Sequence, residues 1–138
     1  MVVKAEILLP GEAVTANCLA LSAPISFWGG VDPRSGEIID ARHPQRGRSV
    51  AGMVLALPGT IGSSSASAVL LELVHAGKAP AAILIAEPDA ILLLGLVVAR
   101  EMGWATPPAL KLSAAAQAGL GGQRLSIATD GAISTATA

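Results

Sequence analysis

Three consecutive serines, Ser63, Ser64 and Ser65, stand between a glycine-rich turn and an amphipathic run in the segment LPGTIGSSSASAVLLELVHAGK, residues 57 to 78. A serine at the first turn of a helix accepts one of the unpaired N–H groups there, and a single residue suffices for that. The same place can also do chemistry. Free N–H groups and the positive end of the helix dipole favour an anion, and a serine oxygen among such donors is stabilised as it loses its proton. Gly62, just before the cluster, lets a ligand approach the backbone closely. A small carboxylate-bearing molecule suits such a site. The segment GTIGSSSAS is not a phosphate-cradling P-loop, because no Lys stands where the Walker sequence needs one.

A second concentration of functional side chains fills residues 29 to 48, GGVDPRSGEIIDARHPQRGR. It holds four of the six arginines (Arg34, Arg42, Arg46 and Arg48) with Asp32, Asp40 and His43. Two readings stand side by side. In one, Asp32, Arg34 and His43 contribute to the serine site; in the other, the stretch is a solvated loop with ion pairs of its own. A hydrolase triad of Ser63, His43 and Asp40 would lack the G-x-S-x-G elbow. His75 reads as a surface residue on the polar face of the helix that follows the serines.

The elements that must position these groups follow from periodicity. Residues 2–9 read as a strand ended by Pro10-Gly11, 18–26 as a second, and 50–57 as a buried strand running into the serine turn. Glu37 to Asp40 is a short strand candidate. Ala66, Val69, Leu70, Leu73 and Val74 recur at helical spacing, with a serine among 63 to 65 as N-cap and Gly77 as the stop. The unit then repeats: 81–86 as a strand, Asp89 as N-cap, 90–102 as an apolar helix and Gly103 as its end. Residues 107–112 and 124–128 supply late strands, and the Ala/Thr tail beyond Gly131 has little to pack with. Strands alternating with two helices predict an α/β architecture, in which ligands gather where a helix follows the carboxyl end of a strand.

Composition bounds the class. At 138 residues the chain fits one domain, 1–138, and with 52% hydrophobic, 14% charged and 2% aromatic residues its core must be aliphatic. Charged residues make up about 25% of a typical chain, so this one is expected to cover part of its surface with a partner. A net charge of −1 offers no basic excess for nucleic acid. Cys18 is the only cysteine, which excludes an internal disulfide or a cysteine-only metal cage, and no metal site is expected in this chain. No secretory leader is legible in residues 1–9, and Glu87-Pro88-Asp89 divides the apolar stretch 79–99 into pieces too short to span a bilayer. The cytoplasm is the expected compartment.

The blocks GGVDPRSGEIID (29–40), GRSVAGMVLALP (47–58) and GSSSAS (62–67), supported by EPDAILLLGLVVA (87–99), occur in order along the chain. Together they closely resemble the small subunit, or swivel domain, of the aconitase X family. The fold implied is a swivelling β/β/α single domain with a mixed, barrel-like strand arrangement and two main helices. The activity implied is that of a hydro-lyase dehydrating a small hydroxy acid, with an iron-sulfur cluster in a large catalytic subunit and none bound by this chain. In the family motif the serine after the glycine is the base, which here is Ser63, while Gly62, Ser64 and Ser65 line the substrate. Ser65 stands where the broader aconitase pattern has an Arg, leaving the carboxylate-binding cation to come from elsewhere. The resemblance further implies a heterodimer inactive without its large subunit. Two substrates are implied: cis-3-hydroxy-L-proline first, on the Ala- and Arg-rich, Lys-poor composition, and mevalonate 5-phosphate second.

Residues 94–110, LGLVVAREMGWATPPAL, also resemble the tail of the phosphohistidine swivelling domain of phosphotransfer enzymes. The phosphorylated histidine would fall at Leu94, so the resemblance concerns fold and not phosphocarrier chemistry. A third reading is a non-catalytic swivel-fold interaction module, for which an apolar surface and a capped helix suffice.

Overall fold

The computed structural model describes residues 2–62 and 64–136. Eight strands form one mixed sheet: β1 (Val2–Lys4), β2 (Glu6–Leu9), β3 (Val14–Ala20), β4 (Val54–Leu57), β5 (Ala82–Ile85), β6 (Ala109–Lys111), β7 (Arg124–Ile127) and β8 (Ala132–Thr135). The spatial order is β1-β8-β7-β3-β4-β5-β6-β2, with β3, β4, β5 and β6 parallel and all other pairs antiparallel. The segment expected as one N-terminal strand breaks at Ala5, and its halves pair with opposite edges of the sheet, which is thereby almost closed into a barrel. Ala5 N–H donates to Gly131 O at 2.9 Å, and a Cβ on Gly131 would overlap Ala5 O. Only glycine permits that approach, and its φ of +92° also favours glycine.

Two helices cross between parallel strands: α2 (Ala66–His75) joins β4 to β5, and α3 (Ala90–Glu101) joins β5 to β6. Both helices end on glycine. Gly77 and Gly103 adopt φ of +71° and +78°, and the pairs Lys78 N–H to Leu73 O and Trp104 N–H to Ala99 O complete Schellman closures. Side chains on β4 and β5 alternate between two cores. Leu55, Leu57, Ile83 and Ile85 pack under Val69, Leu70 and Leu73 of α2 and Leu92 and Leu96 of α3. Val54, Ala56, Ala82 and Leu84 face the barrel interior with Leu110, Leu125, Ile127 and Ile133. Cys18 lies in that interior, where burial pushes its thiol up to about 11. The aliphatic core expected from composition is thus two cores, one on each face of the parallel strands.

Three expectations are corrected. β3 begins at Val14, before the expected 18, because its first half pairs with β7 and keeps Thr15 and Asn17 exposed. Glu37 and Ile38 make only isolated bridges, to Ser49 and Val31. The tail carries β8, which inserts between β7 and β1 and buries Ile133. The two short helical segments are α1 (Phe27–Gly30), broken by non-helical Trp28 and Gly29, and α4 (Ala114–Gln117). Among the described residues no helix is long and apolar enough to cross a membrane; the apolar stretch 79–99 divides into β5 and α3.

Candidate functional site

The serine turn lies at the carboxyl ends of the parallel strands, where the loops leaving β3, β4 and β5 are tied together. Ile25 and Thr60 bridge in parallel, and Ile61 N–H donates to Ile25 O at 3.0 Å. Thr60 Oγ1 donates to Asp89 Oδ2 at 2.7 Å, while Asp89 Oδ1 accepts from the N–H groups of Ile91 and Leu92 at 2.9 and 3.2 Å. Asp89 therefore caps α3 as its sequence position implied, and also holds the loop that leads into the serines. Below these loops Gln117 is buried, and its side-chain amide donates to Leu57 O at 3.0 Å and Leu112 O at 2.9 Å. It joins the ends of β4 and β6. Sequence reasoning missed it, although a lone polar side chain inside an alanine run was the available signal.

Gly62 and Ser64 are exposed, Ser65 is half-buried at the N-cap of α2 with helical backbone (φ −84°, ψ −7°), and Ala66 is buried. Nothing lies within 4 Å of the Cβ position of Gly62, so that side of the turn is open. Ser65 O accepts from the N–H groups of Ala68 and Val69 at 3.2 and 3.4 Å, and Ser67 Oγ donates to Ser64 O at 3.4 Å. Ser63, the expected base, lies outside the described residues. The first turn of α2 is set against α3 through Gly95, where a Cβ would lie 2.5 Å from Ser67 O. That close approach is why position 95 carries no side chain.

Within the arginine-rich loop, the turn from Asp32 to Gly36 lies away from the serines. Asp32 Oδ1 accepts from Arg34 N–H at 2.9 Å, and Asp32 O accepts from Gly36 N–H at 2.8 Å, closing a tight turn. The Cβ position of Gly36 lies 3.1 Å from Lys78 O, placing this turn beside the C-terminal end of α2. The ten residues of α2 separate it from the serines by roughly 15 Å. His43 is buried against Ala23, with Nε2 3.0 Å from Ala23 O and Nδ1 accepting from Gln45 N–H at 3.0 Å. That pairing puts the ring proton on Nε2. A triad would need it on Nδ1 facing a carboxylate, and Asp40 Oδ1 instead accepts from Arg42 N–H at 3.0 Å. His43 thus clamps its loop to the segment after β3.

A cavity of about 740 Å³ lies at the opposite end of the molecule, between Gly77, Trp104, Arg100 and the turn Pro10 to Ala13. His75 stacks on Trp104 near it, with ring centroids 4.6 Å apart.

The model of the aconitase X swivel domain matches residues 2–134. The chain belongs to that family. This swivel domain is 52% identical over 102 residues to the cis-3-hydroxy-L-proline dehydratase of Pseudomonas aeruginosa, covering 71% of this chain and 18% of that one. It is 39% identical over 99 residues to the phosphomevalonate dehydratase small subunit of Thermococcus onnurineus, covering 72% and 75% of the two chains. The swivel domain thus spans less than a fifth of the hydroxyproline dehydratase it matches. In three dimensions it resembles the crystal structure of aconitase X from Thermococcus kodakaraensis, holo-form, with a TM-score of 0.85, 26% identity and 99% of both chains covered. The barrel-like β/β/α architecture is therefore the swivel fold, as the sequence blocks implied.

Proposed function

We propose that this swivel domain supplies the proton-abstracting serine of an aconitase-type hydro-lyase and works only when joined to a large catalytic subunit. The observation that carries the reading is the serine turn, a run of hydroxyls at an uncharged helix N-terminus on the carboxyl edge of the parallel strands. Dehydration of a hydroxy acid removes a proton from the carbon next to the carboxylate and hydroxide from its neighbour, leaving a double bond and water. Ser63 takes the proton, and the dipole and N–H groups at the start of α2 stabilise its oxygen meanwhile. Gly62, Ser64 and Ser65 present the surface against which the substrate's carboxylate lies.

An iron-sulfur cluster does not fit the residues of this chain. The one cysteine is buried in the barrel as a neutral thiol, and among the described residues no three His, Cys, Asp or Glu side chains gather to hold a metal. The cluster of aconitase-type chemistry would belong to the large subunit.

The substrate we favour is cis-3-hydroxy-L-proline, supported by the 52% identity to a dehydratase of that name. Mevalonate 5-phosphate is the second reading, supported by relatives named as small subunits whose length this chain largely covers. The test is co-expression with a large aconitase X subunit from the same organism, anaerobic purification, and assay of hydroxyproline dehydration with wild type and Ser63→Ala. Activity that collapses in an intact Ser63→Ala complex supports the reading. A cluster-loaded pair inert on hydroxyproline moves the assignment to mevalonate 5-phosphate. Full activity in the variant reduces Ser63 to a helix cap and leaves an interaction module.

A further inference from the structure

Helix α3 buries one face and leaves an apolar one in solvent. Leu92, Gly95, Leu96 and Ala99 are buried, whereas Ile91, Leu94, Val98 and Met102 are 47, 52, 37 and 54% exposed. Spaced at three, four and four residues, these four fall in one ridge along α3 and its C-cap, about 16 Å long. No charged residue occurs from Ala90 to Ala99, and Glu101, beside Met102 at the far end, is the first charge on this face, so most of the ridge lacks the polar substitution that an exposed helix face normally carries. Contiguous exposed apolar surface of this kind marks a contact with another body.

We propose that this ridge seats the large catalytic subunit, a proposal that rests on the dehydratase reading above. Three observations choose that occupant. The ridge starts at the serine turn: Ile91 N–H is held by Asp89, whose other oxygen holds Thr60, three residues before Ser63. Exposed Ile61, next to the Thr60 that Asp89 holds, extends apolar surface at the same end. The hydroxyproline dehydratase relative matches this domain over only 18% of its length, so in that protein most of the chain lies outside the swivel domain. A body that completes a substrate site at Gly62 and Ser64 must approach from the end where the ridge begins. Its matching surface is apolar and poor in charge, since an unpaired charge set against the ridge would be desolvated without compensation.

The test measures binding of this chain to the anaerobically purified, cluster-loaded large-subunit candidate. The variants are Leu94→Glu and Val98→Glu, with Val2→Glu on the barrel side as control. Each ridge variant is expected to weaken Kd about tenfold or more, with Val2→Glu unchanged. Circular dichroism melts confirm that each variant folds, and should a Glu variant fail to fold, Leu94→Ala and Met102→Ala are read instead for the same loss. Folded ridge variants that bind as wild type overturn the proposal, and the dehydratase reading survives provided Ser63→Ala still abolishes turnover. A self-dimer broken by the ridge variants while large-subunit binding persists assigns the ridge to a second copy and also overturns it. Failure of the wild-type chain to bind the large subunit removes both.

Discussion

Two helices begin side by side on the same edge of the sheet, and their first turns are finished in opposite ways. α3 opens on Asp89, an extended N-cap whose carboxylate takes two backbone N–H groups and neutralises the end of the dipole from within. α2 opens on serines beside a glycine with open space around it, and has no acidic residue in its first turn. The same backbone electrostatics serve the stability of α3 and, in the function proposed above, meet the substrate's carboxylate at α2. Thr60 links them, so the helix that carries its own anion holds in place the one that does not.

Four measurements break or sharpen this contrast. The largest effect is expected from Ser63→Ala, which should lower turnover of the assembled enzyme by about 10²–10⁴-fold, the usual worth of a general base. Gly95→Ala forces a Cβ onto Ser67 O and should cost about 1–3 kcal/mol, read as a lowered Tm. Asp89→Ala removes the cap of α3 and the hold on Thr60; a loss of about 1–2 kcal/mol is expected, and Asp89→Asn should recover part of it. A fall in stability with kcat untouched would show that Asp89 serves α3 alone. Ser64→Asp gives α2 the internal anion that α3 already has. It should add about 0.3–1 kcal/mol of stability while raising KM for a carboxylate substrate. An unchanged KM would mean that the start of α2 does not meet the substrate.

The contrast was half legible in the sequence. Asp89, Gly77 and Gly103 were read as helix signals, because a cap or a left-handed turn needs particular residues at particular places. The buried strands β4 and β5 were legible as short apolar runs closed by turns. β8 was not, since Ile133 is the one large apolar side chain in Ala132–Thr135 and the segment is a strand only because β7 and β1 flank it; the Asp130-Gly131 pair was the local hairpin signal. The loop 29–48 shows a different limit. Its side chains look functional as a set, yet Asp32, Asp40 and His43 bond to nearby backbone, and distances along the chain do not reveal that Gly36 lies at the far end of α2. Gln117 and Gly95 act through contacts more than 25 residues away, which no local pattern encodes.

The strand that breaks at Ala5 gives the domain contacts of unusually long sequence separation. Its halves pair with β8, made of residues 132 to 135, and with β6, made of residues 109 to 111. Both halves thus pair with strands that lie a hundred or more residues further along the chain, and without them the sheet presents two open edges at once. Pairings of such sequence separation slow folding and expose the chain to edge-to-edge association. A chain trimmed before Glu6 would keep both helices and the serine turn in its sequence, yet carry an unpaired β8 edge into every encounter with its own copies.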